Sequence, residues 1–237
     1  MRTIDVCLSP DLMHLYKVED RTVVVVDILR ATSCMTTALA HGIKAIIPVA
    51  SLAEALALKS DDVYTAGERD GKKVDGFDLG NSPFEYMHED LRGKSVGFTT
   101  TNGTQAIVKS LGAREIVIGS FLNLSAVAAY LRKSPANILI VCAGWKGKFN
   151  LEDTLYAGAI VELLKNEFQA ECDAPLAAAY LYKTAKNNLV EFLQDSSHVK
   201  RLQRLGIQKD IAFCLTPDIY PIVPVLKDGR LTVVSKP

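Results

Sequence analysis

In a chain of 237 residues, 27 Lys and Arg balance 27 Asp and Glu, so no net charge draws the protein to nucleic acid or to an anionic membrane, and a small-molecule partner is expected. Five scattered cysteines (Cys7, Cys34, Cys142, Cys172, Cys214) contain no C-x-x-C, which speaks against a disulfide framework or zinc knuckle and for a reducing cytoplasm. No apolar run approaches the ~20 residues of a membrane helix, and MRTIDVCLSP lacks the apolar stretch of a signal peptide, so a soluble cytoplasmic protein is expected, with homo-oligomerisation left open.

The first strand-like run is TIDVCL, and the second, TVVVVDI, is the most informative. Its valines form an uninterrupted β-branched run, the pattern of a strand covered on both faces, and Asp27 follows at the carboxyl edge, where open α/β sheets bind ligands. A helix is expected from Ser33 to His41, ended by Gly42. Then come KAIIPV, a helix from Ser51 to Leu58 opened by a Ser51/Glu54 capping box, DDVYTA, KSVGFT, a helix from Gly103 to Leu111, EIVIGS, a helix from Leu124 to Arg132, and NILIVCA. This alternation makes the first 150 residues look doubly wound. From Leu151 the texture turns helical: LEDTLYAGAIVELLKNEF sets Leu155, Ala159 and Leu163 on one face, APLAAAYLYKTAKNNLVEFL continues as helix, and SHVKRLQRL stops at Gly206. The tail returns to strand in YPIVPVL and RLTVVS, joined by a hairpin turn at Lys227-Asp228-Gly229. The expected fold is α/β, a mainly parallel or mixed sheet with helices on both faces, forming a single unit over residues 1–237 with subdomains left open.

Besides the turn after the valine strand, three strand ends open into polar, glycine-bearing turns: AGERDGKKVDGFDLGNSP, TTTNGT and AGWKGKFNLED. In a parallel sheet all carboxyl ends share one side, so the four turns are expected to converge. In TTTNGT, Asn102 and Gly103 can turn successive N–H groups into one concavity, a nest for phosphate, although a helix cap would also account for the sequence. In GFDLGNSPFE, Ser82, Pro83 and Glu85 read as a capping box, which leaves Asp78 unexplained between Gly76 and Gly80. Glu68 and Arg69 stand in GERDG. In NLED, Asn150 reads as an N-cap and Glu152 and Asp153 as first-turn acids, with Asp153 the stronger site candidate. Lys146 and Lys148 read as solvated.

The four histidines lack metal-ligand spacing, which excludes a preformed zinc motif, and His198 reads as a surface residue. A hard cation such as magnesium, needing only one or two carboxylates plus substrate phosphate, suits Asp27, Glu68, Asp78 and Asp153 better. Gly93-Lys94-Ser95 ends like a Walker A motif, but His88 stands in place of its first glycine, which excludes a P-loop. Leu29 occupies the position of the second aspartate in the D-x-D opening of haloacid-dehalogenase phosphatases, and the likeness to that family is limited to a strand followed by Asp27.

Taken together, VVVVDILRATSCMTTAL, AGERDGKKVDGFDLGNSP, TTTNGT, VCAGWKGKFNLEDTLYAG and SSHVKRLQRLG, followed by Asp210 and Cys214, resemble the 2-phosphosulfolactate phosphatase (ComB) family over nearly the whole chain. The resemblance implies magnesium-dependent hydrolysis of 2-phospho-3-sulfolactate to 3-sulfolactate and phosphate, a step toward coenzyme M, or of a related phosphorylated hydroxy acid. On that basis Asp27, Arg30, Glu68 and Arg69 are expected to be catalytic, Asp27, Asp78 and Asp153 to hold magnesium, and Thr32, Asn81, Thr100, Thr101, Asn102, Gly103 and Thr104 to bind substrate. Arg30 and Arg69 would grip anionic oxygens with their planar guanidinium forks. A covalent aspartyl-phosphate on Asp27 stays open, as does a non-catalytic sensor of a phosphorylated metabolite. Carboxylates beside the phosphate nest would favour the enzyme, because acids aimed at an anion serve binding only with a cation between them.

Overall fold

The computed structural model describes residues 1–234, and Ser235, the expected end of the last strand, lies outside them. The strands are β1 Arg2–Cys7, β2 Arg21–Val26, β3 Ala45–Pro48, β4 Val63–Arg69, β5 Lys72–Lys73, β6 Ser95–Thr99, β7 Glu115–Gly119, β8 Asn137–Cys142, β9 Phe168–Ala170, β10 Pro224–Lys227 and β11 Arg230–Val233. The helices are α1 Ala31–Ala40, α2 Leu52–Ala57, α3 Gly103–Lys109, α4 Leu124–Lys133, α5 Leu151–Leu164, α6 Asp173–Ala185, α7 Leu189–Leu193, α8 Ser197–Arg204 and α9 Gln208–Cys214. None of them is long and apolar enough to cross a membrane.

All strands join one mixed sheet in the order β5-β4-β6-β3-β11-β10-β7-β2-β8-β1-β9. Two parallel blocks, β4-β6-β3 and β7-β2-β8-β1-β9, are joined by the antiparallel β10–β11 hairpin, which pairs with β7 on one side and β3 on the other. Three successive antiparallel pairings make the two blocks run in opposite directions. The expectation that one parallel sheet brings every carboxyl end to one side is therefore corrected. The ends of β2 and β6 nevertheless meet. They are five steps apart in the sheet, and a twist of roughly 20–25° per step accumulates to on the order of 100–125°, enough to swing opposed strands toward a shared corner.

The valine run is buried on both faces, as its composition requires. Val24 and Val26 pack with α4, α5 and α6, whereas Val23 and Val25 face α1, α3 and the inner residues Ile46, Val96 and Phe98 of the other block. Helix α1 lies between the blocks and is nearly all buried despite four hydroxyl residues. Its hydroxyls are satisfied locally: Thr36 donates to Thr32 O (2.8 Å), Thr37 to Ser33 O (2.9 Å) and Ser33 to Ile28 O (2.8 Å).

Several boundaries differ from the sequence expectation. The segment 174–193 breaks after Ala185, where Asn188 caps a new helix by accepting from Glu191 N. The helix expected to run to Phe168 ends at Leu164, Phe168 joins edge strand β9 beside β1, and α9 appears where no element was expected. The capping box at Ser51 is half formed: Ser51 accepts from Glu54 N (3.2 Å), while Glu54 accepts from Ala50 N. The one expected at Ser82 is absent, because Glu85 turns back to accept from Gly80 N (2.7 Å).

Candidate active site

The turn after β2 holds Asp27 in a fixed pose. Thr32 closes it by donating its hydroxyl to Asp27 O (2.9 Å) and accepting from Asp27 N (3.0 Å), and Asp27 Oδ1 accepts from Ala31 N (3.3 Å). Thr32 is fully buried, so it builds the turn and does not line the cavity as a substrate ligand, a correction to its expected role. Asp27 faces a small cavity lined also by Arg30, Glu68, Asn81, Asn102, Trp145, His198 and Arg201. Burial pushes its carboxyl up to about 7; His198 opposes this and Glu68 adds to it.

Arg30, Glu68 and Asn81 reach the cavity as expected, each from a different element. Arg30 is pinned at both terminal nitrogens, Nη1 by Asp210 of α9 and Nη2 by Gly71 O (3.2 Å). One carboxylate oxygen of Glu68, at the end of β4, accepts from Gly71 N. Asn81 Oδ1 is buried without a hydrogen-bond partner. Arg69 is not brought in: its guanidinium bonds Glu68 O (2.6 Å) and Thr99 Oγ1 (3.2 Å), which corrects its expected catalytic place. Side chains alternate along a strand, so Glu68 and Arg69 face opposite ways.

TTTNGT serves less as a nest than as a buttress. Thr100 and Thr104 are buried and bond each other, with Thr104 N donating to Thr100 Oγ1 (3.3 Å) and Thr104 Oγ1 to Thr100 O (3.0 Å). Asn102 has φ of −122°, and no residue of the stretch takes positive φ, so the alternating backbone of a nest is absent. Thr101 borders a neighbouring depression that also includes Asn102, Lys109 and Lys146, and Asn102 alone of this stretch lines the main cavity. Gly103 is needed for close approach: a Cβ there would lie 2.6 Å from Ala31 Cβ and 2.8 Å from Asp27 Oδ2. This contact is where the β2 and β6 ends meet.

The sequence reading missed the wall supplied by α8. His198 and Arg201, three residues apart and so on one helical face, both line the cavity. His198 is buried, not at the surface; its Nδ1 meets the Glu152 carboxylate, with Asn150 Nδ2 at 3.3 Å. Trp145 packs against both, its ring centroid 5.8 Å from that of His198 and its face 3.6 Å from the Arg201 guanidinium carbon. Arg201 Nη2 is buried without a partner, and burial pulls the guanidinium below its ordinary pKa against the acids Glu152, Glu68 and Asp70. Lys146 and Lys148 are exposed, and Lys146 pairs with Asp70 at 3.1 Å.

Two of the acids expected to bind metal are committed elsewhere. Asp153 accepts from Ile28 N (2.9 Å) and Gly144 N (3.0 Å), so both oxygens tie the β2 and β8 turns together; burial first, then Glu152 and Asp27, raise its carboxyl far above the usual range. Asp78 sits at a different place, accepting from Thr65 N and Oγ1 (2.8 Å each) and from Lys59 (2.6 Å). Among the described residues no three His, Cys, Asp or Glu side chains form a preformed metal cage. The oxygens facing the cavity are those of Asp27, Glu68 and Asn81, an all-oxygen set whose unpartnered amide oxygen suits a hard cation.

Fold and cleft together are those of an α/β enzyme of the phosphoric monoester hydrolase class. The 2-phosphosulpholactate phosphatase family matches residues 7–229, and the chain belongs to that family. It is 48% identical over 217 residues to a probable 2-phosphosulfolactate phosphatase of Caldanaerobacter subterraneus subsp. tengcongensis, covering 89% of this chain and 90% of that one. Identity to proteins of the same description is 48% in Thermotoga maritima, covering 95% and 96%, and 40% in Clostridium acetobutylicum, covering 96% and 99%.

Proposed function

We propose that the protein hydrolyses 2-phospho-3-sulfolactate, or a closely related phosphorylated 2-hydroxy acid, with magnesium at the Asp27–Glu68–Asn81 oxygens. The observation that carries this reading is one cavity holding the Asp27 and Glu68 carboxylates together with two guanidinium groups, one of which, Arg201, keeps a buried nitrogen without a partner. A protein that merely bound a phosphate ester would gain from the arginines and lose from the acids, whereas a cation between acids and phosphate turns the repulsion into attraction. That weighs against the sensor alternative. Bound there, magnesium supplies Lewis-acid charge against the phosphoryl oxygens.

The chain's own groups divide the remaining tasks. Arg30, fixed in place by Asp210 and Gly71 O, offers its remaining N–H groups to the phosphoryl oxygens, so it needs no reorganisation as charge shifts in the transition state. Arg201, flat on Trp145, holds the substrate's second anion, a carboxylate or sulfonate. Asp27, whose Oδ1 is held by Ala31 N, orients the attacking water. A reducing, cytoplasmic setting suits five free thiols, four of them buried.

Phosphate release from a panel of small monoesters, with and without magnesium, tests the reading. Turnover is expected on phosphorylated 2-hydroxy acids, is lost in excess chelator and returns with magnesium. Full turnover in chelator ends the metal assignment, and no release from any ester ends the phosphatase assignment.

A further inference from the structure

The proposed reaction leaves His198 of the cavity wall and its buried partner Glu152 without a task. Glu152 and His198 come from different helices, α5 and α8, and meet in the interior. Glu152 is 1% exposed, and its second oxygen is buried without a partner. A buried acid there destabilises the fold unless a hydrogen-bond partner compensates it, and among the described residues the only side chain bonded to it is the imidazole. The contact fixes Nδ1–H toward Glu152, which leaves Nε2 as the nitrogen available to the cavity that His198 lines. Trp145 on the ring's flank restricts rotation.

A carboxylate that orients an imidazole through one ring nitrogen, leaving the other for a substrate cavity that the ring lines, is the arrangement of a proton donor. The ester of a 2-hydroxy acid needs one. Its leaving group is an alkoxide, a strong base, and the arginines beside the cavity do not release protons at neutral pH. We propose that His198, positioned by Glu152, is the general acid that protonates the leaving alcohol oxygen. As the ester P–O bond breaks, its electron pair goes to the alcohol oxygen, which takes the Nε2 proton. The water oxygen forms the new P–O bond, keeps one proton on the product phosphate, and gives up its other proton, which restores Nε2.

This inference rests on the phosphatase reading, and leaving-group dependence tests it separately. Turnover of the full-length wild-type protein is compared on an alkyl phosphate of a 2-hydroxy acid and on a graded set of aryl phosphates ending in p-nitrophenyl phosphate, whose phenolate departs unaided. The wild type is expected to show a shallow dependence on leaving-group basicity. In His198→Gln the ratio of alkyl to p-nitrophenyl turnover should fall by about 30-fold or more, as expected for loss of one general acid worth ~10²–10⁴. Glu152→Gln, nearly isosteric, should lower the same ratio by a smaller factor. A steep dependence in the wild type, readable even where a variant does not fold, overturns the proposal, as does an equal slowing of both ester types in His198→Gln. Absence of wild-type phosphate release from every ester would instead remove the phosphatase reading itself.

Discussion

The two walls of the cavity are built differently. On the β2–β8 side, Arg30 and His198 are each backed by a buried carboxylate from a helix late in the chain, Asp210 and Glu152. On the β4–β6 side, Glu68 comes from the end of β4 and Asn81 and Asn102 from turns, with Glu68 and Asn102 steadied by the backbone N–H groups of Gly71 and Lys146. The first wall is organised to hold positive charge in place, and the second offers oxygens that a cation can draw together. Asp27 sits where they meet, pressed against Gly103 of the opposite block.

The largest effect should come from the meeting point. Asp27→Asn is expected to lower turnover ~10³-fold, since it removes a charged group acting directly on the reaction centre. Stability should move the other way. Burial raises the Asp27 carboxyl from 3.8 to about 7 in the fold, so its stabilising contribution is full below the unfolded value and is lost as pH rises through the folded one. In excess chelator, the variant should melt with the wild type near pH 4 and above it by about 1–3 kcal/mol at pH 8. A gap that does not widen with pH would contradict the desolvated carboxylate.

Next comes the joint between the walls. Gly103→Ala places a methyl 2.6 Å from Ala31 Cβ and 2.8 Å from Asp27 Oδ2, an overpacking expected to cost about 1–3 kcal/mol. It should also displace Asp27 and reduce turnover roughly 10-fold or more, as misplacement of a reacting group does. Unaltered melting and turnover would mean that the two blocks do not meet there.

The walls also differed in how far the sequence revealed them. The valine run announced a strand buried on both faces, and Asp27, Arg30 and Glu68, which line the cavity, stood out as polar groups at strand ends, whereas Asn81 entered only with the family resemblance. The reversal of β3, β4 and β6 was hidden, since it depends on the last strands inserting between residues distant in sequence, with Leu231 beside Ile46. His198 and Arg201 were missed because SSHVKRLQRL is rich in charge and resembles a solvated helix. The signal was present: Val199 and Leu202 form a buried stripe, with His198 and Arg201 beside it at a spacing of three. Glu152 and Asp153 looked like helix-start acids, and nothing local distinguishes such acids from buried ones.

Arg201 should show a smaller, selective effect. Its free Nη2 and its stacking on Trp145 suit a second substrate anion. Arg201→Ala is expected to reduce kcat/KM for phospho-esters bearing a carboxylate or sulfonate by ~10-fold or more relative to neutral-bodied esters, the effect of one charge-assisted hydrogen bond of about 1.5–3 kcal/mol. Equal losses on both substrate types would assign Arg201 to the phosphoryl group instead.

The smallest effect on catalysis is expected at Asp78, and it separates the structural site from the one expected on sequence. A magnesium ligand at this position would make Asp78→Asn nearly inactive. In the fold Asp78 instead ties Thr65 and Lys59 together. Burial raises its carboxyl, but the bonds from Lys59 and Thr65 outweigh this and hold it below the ordinary value. Its contribution is therefore present above about the unfolded carboxylate value and is lost as pH falls through the depressed one. Solvent screens the half-exposed lysine pair, so Asp78→Asn should cost only about 1 kcal/mol at pH 7, read by melting, with less of a loss at pH 3. Turnover should stay within roughly 2-fold, as for a change away from the reacting groups. A loss of magnesium response in this variant, with its melting temperature unchanged, would return Asp78 to the metal site and displace Glu68 or Asn81 from it.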